Sequence, residues 1–469
     1  MFSQSKTLAV VMLLSVITIG ACQKKEICTP VTNETNMAPN DGPKGHLKQT
    51  KTYSSQVVVK WLDQQLKMLR LPLAFGAAPA TDRAWAYSGI ALYESVVPGM
   101  PSHRSLAGQL NQFPVASAPL PQTGPGLAYY WPACANAALA EINRKLFTAP
   151  AAQTAINQLE NELQSQYALE SDEAILQRSV EFGRGVAKAV WAWAQGDGTA
   201  IIAAQPVYII PADAPVGHWV LTSPGNPANA YHKYRRLIVA GSNAGAASPA
   251  LPFSYSTDPN SDYYKMAKEV YDISKALTLQ QRQTALYHRE GPAVSGGSYG
   301  SGASVAGQLA AVFTTANASL DVAAEAFAKV GMGSFDAQTA TFIRKYELLV
   351  MRPVTYIQAN IDPAWTTVYG TPLYPEYPAG HPTNGGMLAV MLSSVFGDNF
   401  SFDVNYYGEA NWPGNGLPAH HYNSFEELAQ EMAIARVYAG IHYKPAVYAG
   451  VAVGKKVAQN ILEKVHFLK

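Results

Sequence analysis

Apolar residues return at helical spacing along most of this chain, and few charges interrupt them. Val57 to Leu69 places Val58, Trp61, Leu62, Leu66 and Leu69 on one face of a helix. Comparable patterns predict helices at Trp131–Phe147, Ile156–Ala168, Ser171–Ala194, Tyr263–Leu277 and Thr278–Arg289. Others are expected at Val305–Thr315, Ala323–Val330, Ala337–Met351, Asn384–Val395, Ser424–Ala439 and Val447–Val465. Thr278 with Gln281, and Ser424 with Glu427, stand at capping-box spacing, which fixes two of the starts. With 48% apolar and 14% charged residues, the 469-residue chain has enough to bury a large core or two. The expected fold class is all-α, a multi-helix bundle. Between Gly198 and Pro252 runs a Pro/Gly/Ala-rich stretch of no clear period, read as long loops wrapped over the helices. No repeat of fixed period is evident.

Lys6 precedes an apolar run from Leu8 to Ile19, followed by Gly20-Ala21-Cys22. A basic start, a short apolar core and small residues before a cysteine read as a lipoprotein signal, residues 1–21, with Cys22 the lipidated first residue. A plain secretory signal with a chance cysteine is the alternative. The run is too short for a stable bilayer span. Residues 22–52 are polar and rich in Lys, Asn, Pro and Thr, as a flexible tether would be. This places the protein in the bacterial cell envelope, lipid-anchored on the periplasmic or outer side. Beyond Cys22 only Cys28 and Cys134 remain, so a structural disulfide is not expected and a cysteine metal site is excluded. A net charge of +1 without any Lys/Arg run argues against nucleic acid. The body is divided at residue 320 into an N-terminal helical half, 53–320, and a C-terminal half, 321–469.

That C-terminal half carries three short segments with the chemistry of one anion site. Lys345 is followed seven residues on by Arg352-Pro353, then comes Pro378-Ala379-Gly380-His381, then Arg436 with His442. Seven residues at about 100° each return to nearly one helix face, which would place Lys345 and Arg352 two turns apart. Alone, such a pair reads equally as a solvated stripe, although Leu348, Leu349, Val350 and Met351 crowd it. Gly380 and His381 fall near the expected start of a helix, where free N–H groups and the dipole favour an anion. The plain alternative is a turn with a surface histidine. Arg436 and His442 would diverge on a straight helix, but Gly440 and Pro445 allow a break that brings them together. An isolated arginine and a structural histidine are the alternative there. Together, the segments put three cations and two imidazoles where a tetrahedral or bipyramidal oxyanion could sit.

In order and spacing these segments resemble the superfamily of vanadium-dependent haloperoxidases and type 2 phosphatidic acid phosphatases. Its members share Lys-x6-Arg-Pro, Pro-Ser-Gly-His and Ser-Arg-x5-His-x3-Asp. The stretches from Pro375 to His381 and from Arg436 to His442 look like the bacterial haloperoxidase branch, as do Arg83 to Glu94 and Ser256-Thr257-Asp258-Pro259. The fold so implied is a single helical bundle with its site among the C-terminal helices. Three positions depart from the pattern: Ala379 and Ala435 stand for serines and Ala446 for the aspartate. Losing one hydroxyl donor to a charged oxygen costs about 1.5–3 kcal/mol. Losing the carboxylate behind His442 would handicap a phosphatase, where that histidine attacks phosphorus, more than a haloperoxidase, where it only ligates vanadium.

The resemblance implies vanadate as cofactor, with His442 its axial ligand. Lys345, Arg352, Arg436 and the Gly380 N–H would hold the remaining oxygens. His381 would act as acid–base and Lys345 would polarise hydrogen peroxide, so that a halide is oxidised to a hypohalous acid equivalent that halogenates a small organic acceptor. Tyr374 falls where related enzymes keep a residue near the halide path. Glu290 could pair with a site arginine, or be an exposed charge at a helix end. The Gly/Ser-rich run Val294–Gly302 lacks the lysine and the preceding strand of a phosphate loop, so it implies no nucleotide. Two alternatives stay open. One is a vanadium-free acid phosphatase with a phosphohistidine intermediate at His442. The other is a degenerate surface lipoprotein that binds an oxyanion or partner without turnover.

Overall fold

Each amphipathic segment becomes a helix in this computed structural model, which describes residues 48–69, 71, 81–289, 305–404 and 417–469. The N-terminal part holds α1 (Gln56–Leu69), α2 (Thr81–Val96), α3 (Trp131–Leu146), α4 (Pro150–Tyr167), α5 (Glu173–Ala194) and the single turn α6 (Thr199–Ala203). Next come α7 (Asp262–Lys275), α8 (Leu279–Tyr287), α9 (Val305–Thr315) and the long α10 (Leu320–Leu348). The last four are α11 (Pro353–Asn360), α12 (Gly380–Phe396), α13 (Phe425–Tyr438) and α14 (Lys444–Lys464). A short antiparallel pair, β1 (Phe402–Val404) and β2 (His420–Tyr422), is the sheet among the described residues. The fold is all-α. Cys22, Cys28, Glu290 and the Val294–Gly302 run lie outside the described residues, while Cys134 is a buried free thiol in α3.

Local chemistry explains most ends. Thr278 Oγ1 accepts from Gln281 N–H and the Gln281 side chain returns to Thr278 N–H, the full capping box at the start of α8. Ser424 Oγ accepts from Glu427 N–H at 3.1 Å, but the Glu427 carboxylate reaches one residue further back, to Asn423 N–H. Pro150 at the first position of α4 starts that helix six residues earlier than the apolar pattern.

Two helices depart from the periodic pattern, and both departures shape the core. The segments Ala323–Val330 and Ala337–Met351 are one helix, α10, running unbroken through Gly331 and Gly333. Gly331 is there for contact. A Cβ at Gly331 would stand 2.6 Å from the Trp85 carbonyl oxygen, and one at Gly89 would stand 2.6 Å from that of Phe327. The α2 and α10 backbones therefore touch, each through the other's glycine. The second departure is α2 itself, for which no amphipathic stripe exists because residues 83–96 are buried on every side.

α10 is the axis of the assembly. It lies along α2 on one side and against α12 and α14 on the other, so helices from both sides of residue 320 share one core. The stretch from Gly198 to Pro252 runs over this axis, as expected of it. Its Ile238 and Val239 N–H groups and Ser242 hydroxyl donate to the buried Asp336 carboxylate on α10. Trp219 N–H donates to Leu349 O where α10 ends. A second core cluster, built on Tyr263, Tyr356, Trp365, Tyr377 and Tyr443, joins α7, α11, α13 and α14 at the same end.

Candidate active site

The helix carrying Lys345 stops before Arg352. α10 ends at Leu348, Leu349 takes a left-handed conformation (φ 49°), and Arg352 is the extended cap of α11. The reason is Pro353, which disfavours a helical residue before it and is at home at a first helical position. Lys345 and Arg352 thus do not share a helix face. The helix break between them turns both side chains inward, and both are 0% exposed.

They converge on the loop from Tyr374 to Glu376. Lys345 Nζ donates to the carbonyls of Pro375 and Glu376, each at 2.9 Å. Arg352 donates to Tyr374 O through Nε and Nη2, and to Ile441 O through Nη1 at 2.8 Å. The Tyr374 ring lies 5.0 Å from Lys345 Nζ and 5.1 Å from the Arg352 guanidinium carbon. Two buried cations therefore hold the two chain segments that carry the next carboxylate and imidazole.

That carboxylate is Glu376, fully buried and not among the residues that sequence motifs single out. One of its oxygens, Oε1, accepts from His442 Nδ1 and from Tyr443 N–H, both at 2.9 Å. On the other side of the ring, Arg352 Nη1 lies 3.3 Å from His442 Nε2. A guanidinium can only donate, so Nε2 carries the lone pair and Nδ1 the hydrogen. Burial pushes Glu376 up to about 7, with Lys345 and Arg352 pulling it down. Burial also holds His442 well below the ordinary imidazole range, reinforced by Arg352, Lys345 and Arg436. Lys345 is depressed by burial and by Arg352.

Arg436 reaches the same point from the last turn of α13. The helix ends at Tyr438, Gly440 turns the chain at φ 77°, and α14 begins at Lys444. The break inferred from Gly440 and Pro445 is present and lets Arg436 and His442 face one pocket. Arg436 Nη1 donates to His288 O at 2.7 Å and meets Tyr369 Oη at 2.6 Å, while its Nε is buried with no acceptor among the described residues.

α12 closes the ring. It opens at Gly380, four residues earlier than the apolar pattern placed it, because Pro382 sits in a first turn that needs no N–H from it. The Gly380 and His381 N–H groups belong to that turn. Ala379 N–H donates to Ala446 O at 3.0 Å, and a Cβ at Gly450 would come 2.3 Å from Ala379 O, so α14 presses on the start of α12. His381 is half-buried, and burial with Arg436, His288, Lys345 and Arg352 nearby holds it well below the imidazole range.

The pocket therefore gathers three cations, one carboxylate, two neutral imidazoles and a helix N-terminus. Such surplus positive charge in a dry site is costly unless an anion answers it. The donors fit a compact oxyanion: Arg436 Nε lacks an acceptor among the described residues, and His442 Nε2 offers a lone pair for a metal or phosphorus centre.

A family model, the VCPO second helical-bundle domain, matches residues 359–468, which contain Gly380, His381, Arg436 and His442. The crystal structure of the first bacterial vanadium-dependent iodoperoxidase is 27% identical, with a TM-score of 0.78 over 89% of this chain and 98% of that one. In sequence and in fold the chain is similar to the vanadium-dependent haloperoxidases. A vanadium-dependent bromoperoxidase of Corallina officinalis is 29% identical over 103 residues, a match spanning 20% of this chain and 17% of that protein. Holo-type bacterial vanadium-dependent chloroperoxidase shares the fold, with a TM-score of 0.63 at 15% identity, over 85% of this chain and 94% of that one.

Against the haloperoxidase pattern, Ala446 leaves no carboxylate at that position of α14 to orient the histidine. Glu376 supplies one from the opposite loop. Its signal in the sequence is a lone acid between prolines and tyrosines, in a chain where acids are sparse.

Proposed function

We propose that this chain is a vanadate-dependent haloperoxidase, which converts hydrogen peroxide, a halide and a proton to hypohalous acid and water. The observation that carries the reading is His442. Its Nε2 lone pair faces the cation cluster while Nδ1–H is tied to Glu376, the arrangement a ligating imidazole needs. Lys345, Arg352, Arg436 and the Gly380 N–H would hold the oxyanion. Vanadate, when bound, supplies the Lewis-acidic centre at which peroxide becomes an oxidant for halide. The residues do the rest. Lys345 donates to the reacting oxygen, and His381, half-buried at the pocket, carries protons between it and solvent. A bound anion offsets the cations that depress His381, which moves its pKa upward toward a useful range.

Protein lacking residues 1–22, stripped of oxyanions and titrated with orthovanadate, tests this through iodide and bromide oxidation beside a His442→Ala control. Saturable activity lost in the control is expected. No activity at saturating vanadate for either halide would overturn the reading.

Glu376 also favours a second reading, because a carboxylate behind a nucleophilic histidine is what a phosphohistidine mechanism requires. Ester hydrolysis without vanadate, with phosphate trapped on His442, would establish the phosphatase. The inactive alternative is disfavoured, since the three cations and both histidines are all in place.

The lipid anchor at Cys22 belongs to the same proposal and rests on the sequence. Among the described residues no helix is long and apolar enough to cross a membrane. Mass spectrometry of the mature N-terminus after expression in a Gram-negative host should find acyl groups on Cys22, and an unmodified N-terminus would remove the anchor.

A further inference from the structure

We infer that Arg289 and Tyr369 form an anion-gathering subsite beside the oxyanion pocket, which takes the halide before it is oxidised. The inference rests on the haloperoxidase reading for the identity of the anion, but its geometry stands separately. Arg289 follows His288, a residue held at both ends. His288 Nε2 pairs with the Glu431 carboxylate at 2.8 Å, and His288 O accepts from Arg436. The backbone that carries Arg289 is thereby fixed to the wall of the site.

The guanidinium carbon of Arg289 lies 5.5 Å from the centroid of the Tyr369 ring. The Arg436 guanidinium lies at the same 5.5 Å from that ring and also meets its hydroxyl. One aromatic ring thus links an arginine of the oxyanion pocket to an arginine outside it.

Among the described residues no carboxylate pairs with Arg289, and its buried Nε has no acceptor there. Among the described residues, the two acids of the site are already committed. Glu431 accepts from His288, His420 and Tyr422, and Glu376 from His442 and Tyr443. A partly buried guanidinium left in this condition is unfavourable, and a small anion relieves it. Held there, a halide would be stabilised by Arg289 and would sit one ring away from Arg436. The same donors would accept a carboxylate of an organic acceptor, so the ligand chemistry is a monovalent anion and the test separates the two.

Crystals of the full body soaked in bromide should show an anomalous peak within contact distance of Arg289, absent in Arg289→Ala. A second soak with bromide plus benzoate tells the sources apart: a halide subsite keeps the peak, while a carboxylate subsite loses it and overturns the halide assignment. Kinetically, Arg289→Ala should raise KM for iodide about tenfold while kcat and orthovanadate affinity change less than about twofold, with Arg289→Lys recovering part of the loss. The KM effect should shrink with ionic strength, which a merely structural defect would not do. No bromide at Arg289, or an unchanged KM in a folded variant, would overturn the proposal. If the native protein oxidises no halide, the functional reading has failed, and the anomalous peak still decides the subsite.

Discussion

Glu376 and His442 meet across two loops that are sixty-six residues apart in sequence, through a 2.9 Å hydrogen bond at Nδ1. With Arg352 on the opposite ring nitrogen, the bond leaves the imidazole one tautomer. A ligand lone pair on Nε2 therefore exists before any anion arrives, and presenting it requires only that Arg352 Nη1 give up its 3.3 Å contact.

Removing the Glu376 carboxylate should weaken orthovanadate binding without touching any group that contacts the anion. For Glu376→Ala the expected loss is about 10–100-fold in affinity. Glu376→Gln, which can still accept from Nδ1–H, should lose less. Calorimetric titration with orthovanadate measures both. Equal affinity in native protein and Glu376→Ala would show that His442 does not depend on this partner.

The same residue sets a pH dependence. Glu376 is raised from an ordinary carboxylate value of 4.5 to about 7 by burial. A raised carboxyl stabilises the fold fully below its unfolded value, and that contribution is lost as pH rises through the folded value. Glutamine does not titrate. Without oxyanion, the stability of Glu376→Gln relative to native should therefore rise between pH 4.5 and 7, by about 3 kcal/mol at most. Denaturant unfolding of both proteins at pH 5 and pH 8 reads the difference. A flat difference would mean that Glu376 is ionised throughout.

The helical class was legible because amphipathic periodicity survives wherever a helix has a wet face, as in α1 and α7. It failed for α2, where burial on all sides erases the stripe, and it split α10 around Gly331, which serves backbone contact with α2. The site cations and histidines could be named because their types and spacing are unusual together. How they are assembled could not. Lys345 and Arg352 look like one helix face, whereas Pro353 separates them into two elements. Glu376 carries no local mark because its role depends on a loop meeting His442 through tertiary structure, which no period in the sequence encodes. Glu290, the acid that the sequence does single out, lies outside the described residues.

Surplus buried positive charge predicts that an oxyanion stabilises the fold. At about one hundred times its Kd a ligand adds about 2.7 kcal/mol. For a body of this size that is a rise of about 3 °C in Tm. Orthovanadate should give this shift, and Arg436→Ala should abolish most of it, since Arg436 brings a buried Nε without an acceptor among the described residues. Scanning calorimetry with and without vanadate checks it, and an unaltered shift in Arg436→Ala would remove that residue from the anion's donors.

Ala379 is the position where a single added atom should strengthen the site. It caps α12 in an extended conformation (φ −79°, ψ 127°) and is fully buried. A serine there would ordinarily spend its oxygen on the N–H three residues on, but that residue is Pro382, which has none. Capping uses only the oxygen of such a hydroxyl, so its hydrogen would be available to donate to an oxyanion at the Gly380 N–H. A charge-assisted hydrogen bond of about 1.5–3 kcal/mol corresponds to tenfold to hundredfold tighter binding. Ala379→Ser should bind orthovanadate at least tenfold more tightly by calorimetry, while the anion-free protein unfolds more readily because the buried hydroxyl then lacks an acceptor. Unaltered affinity would place the anion away from the start of α12, against the donor set assembled from Lys345, Arg352, Arg436 and His442.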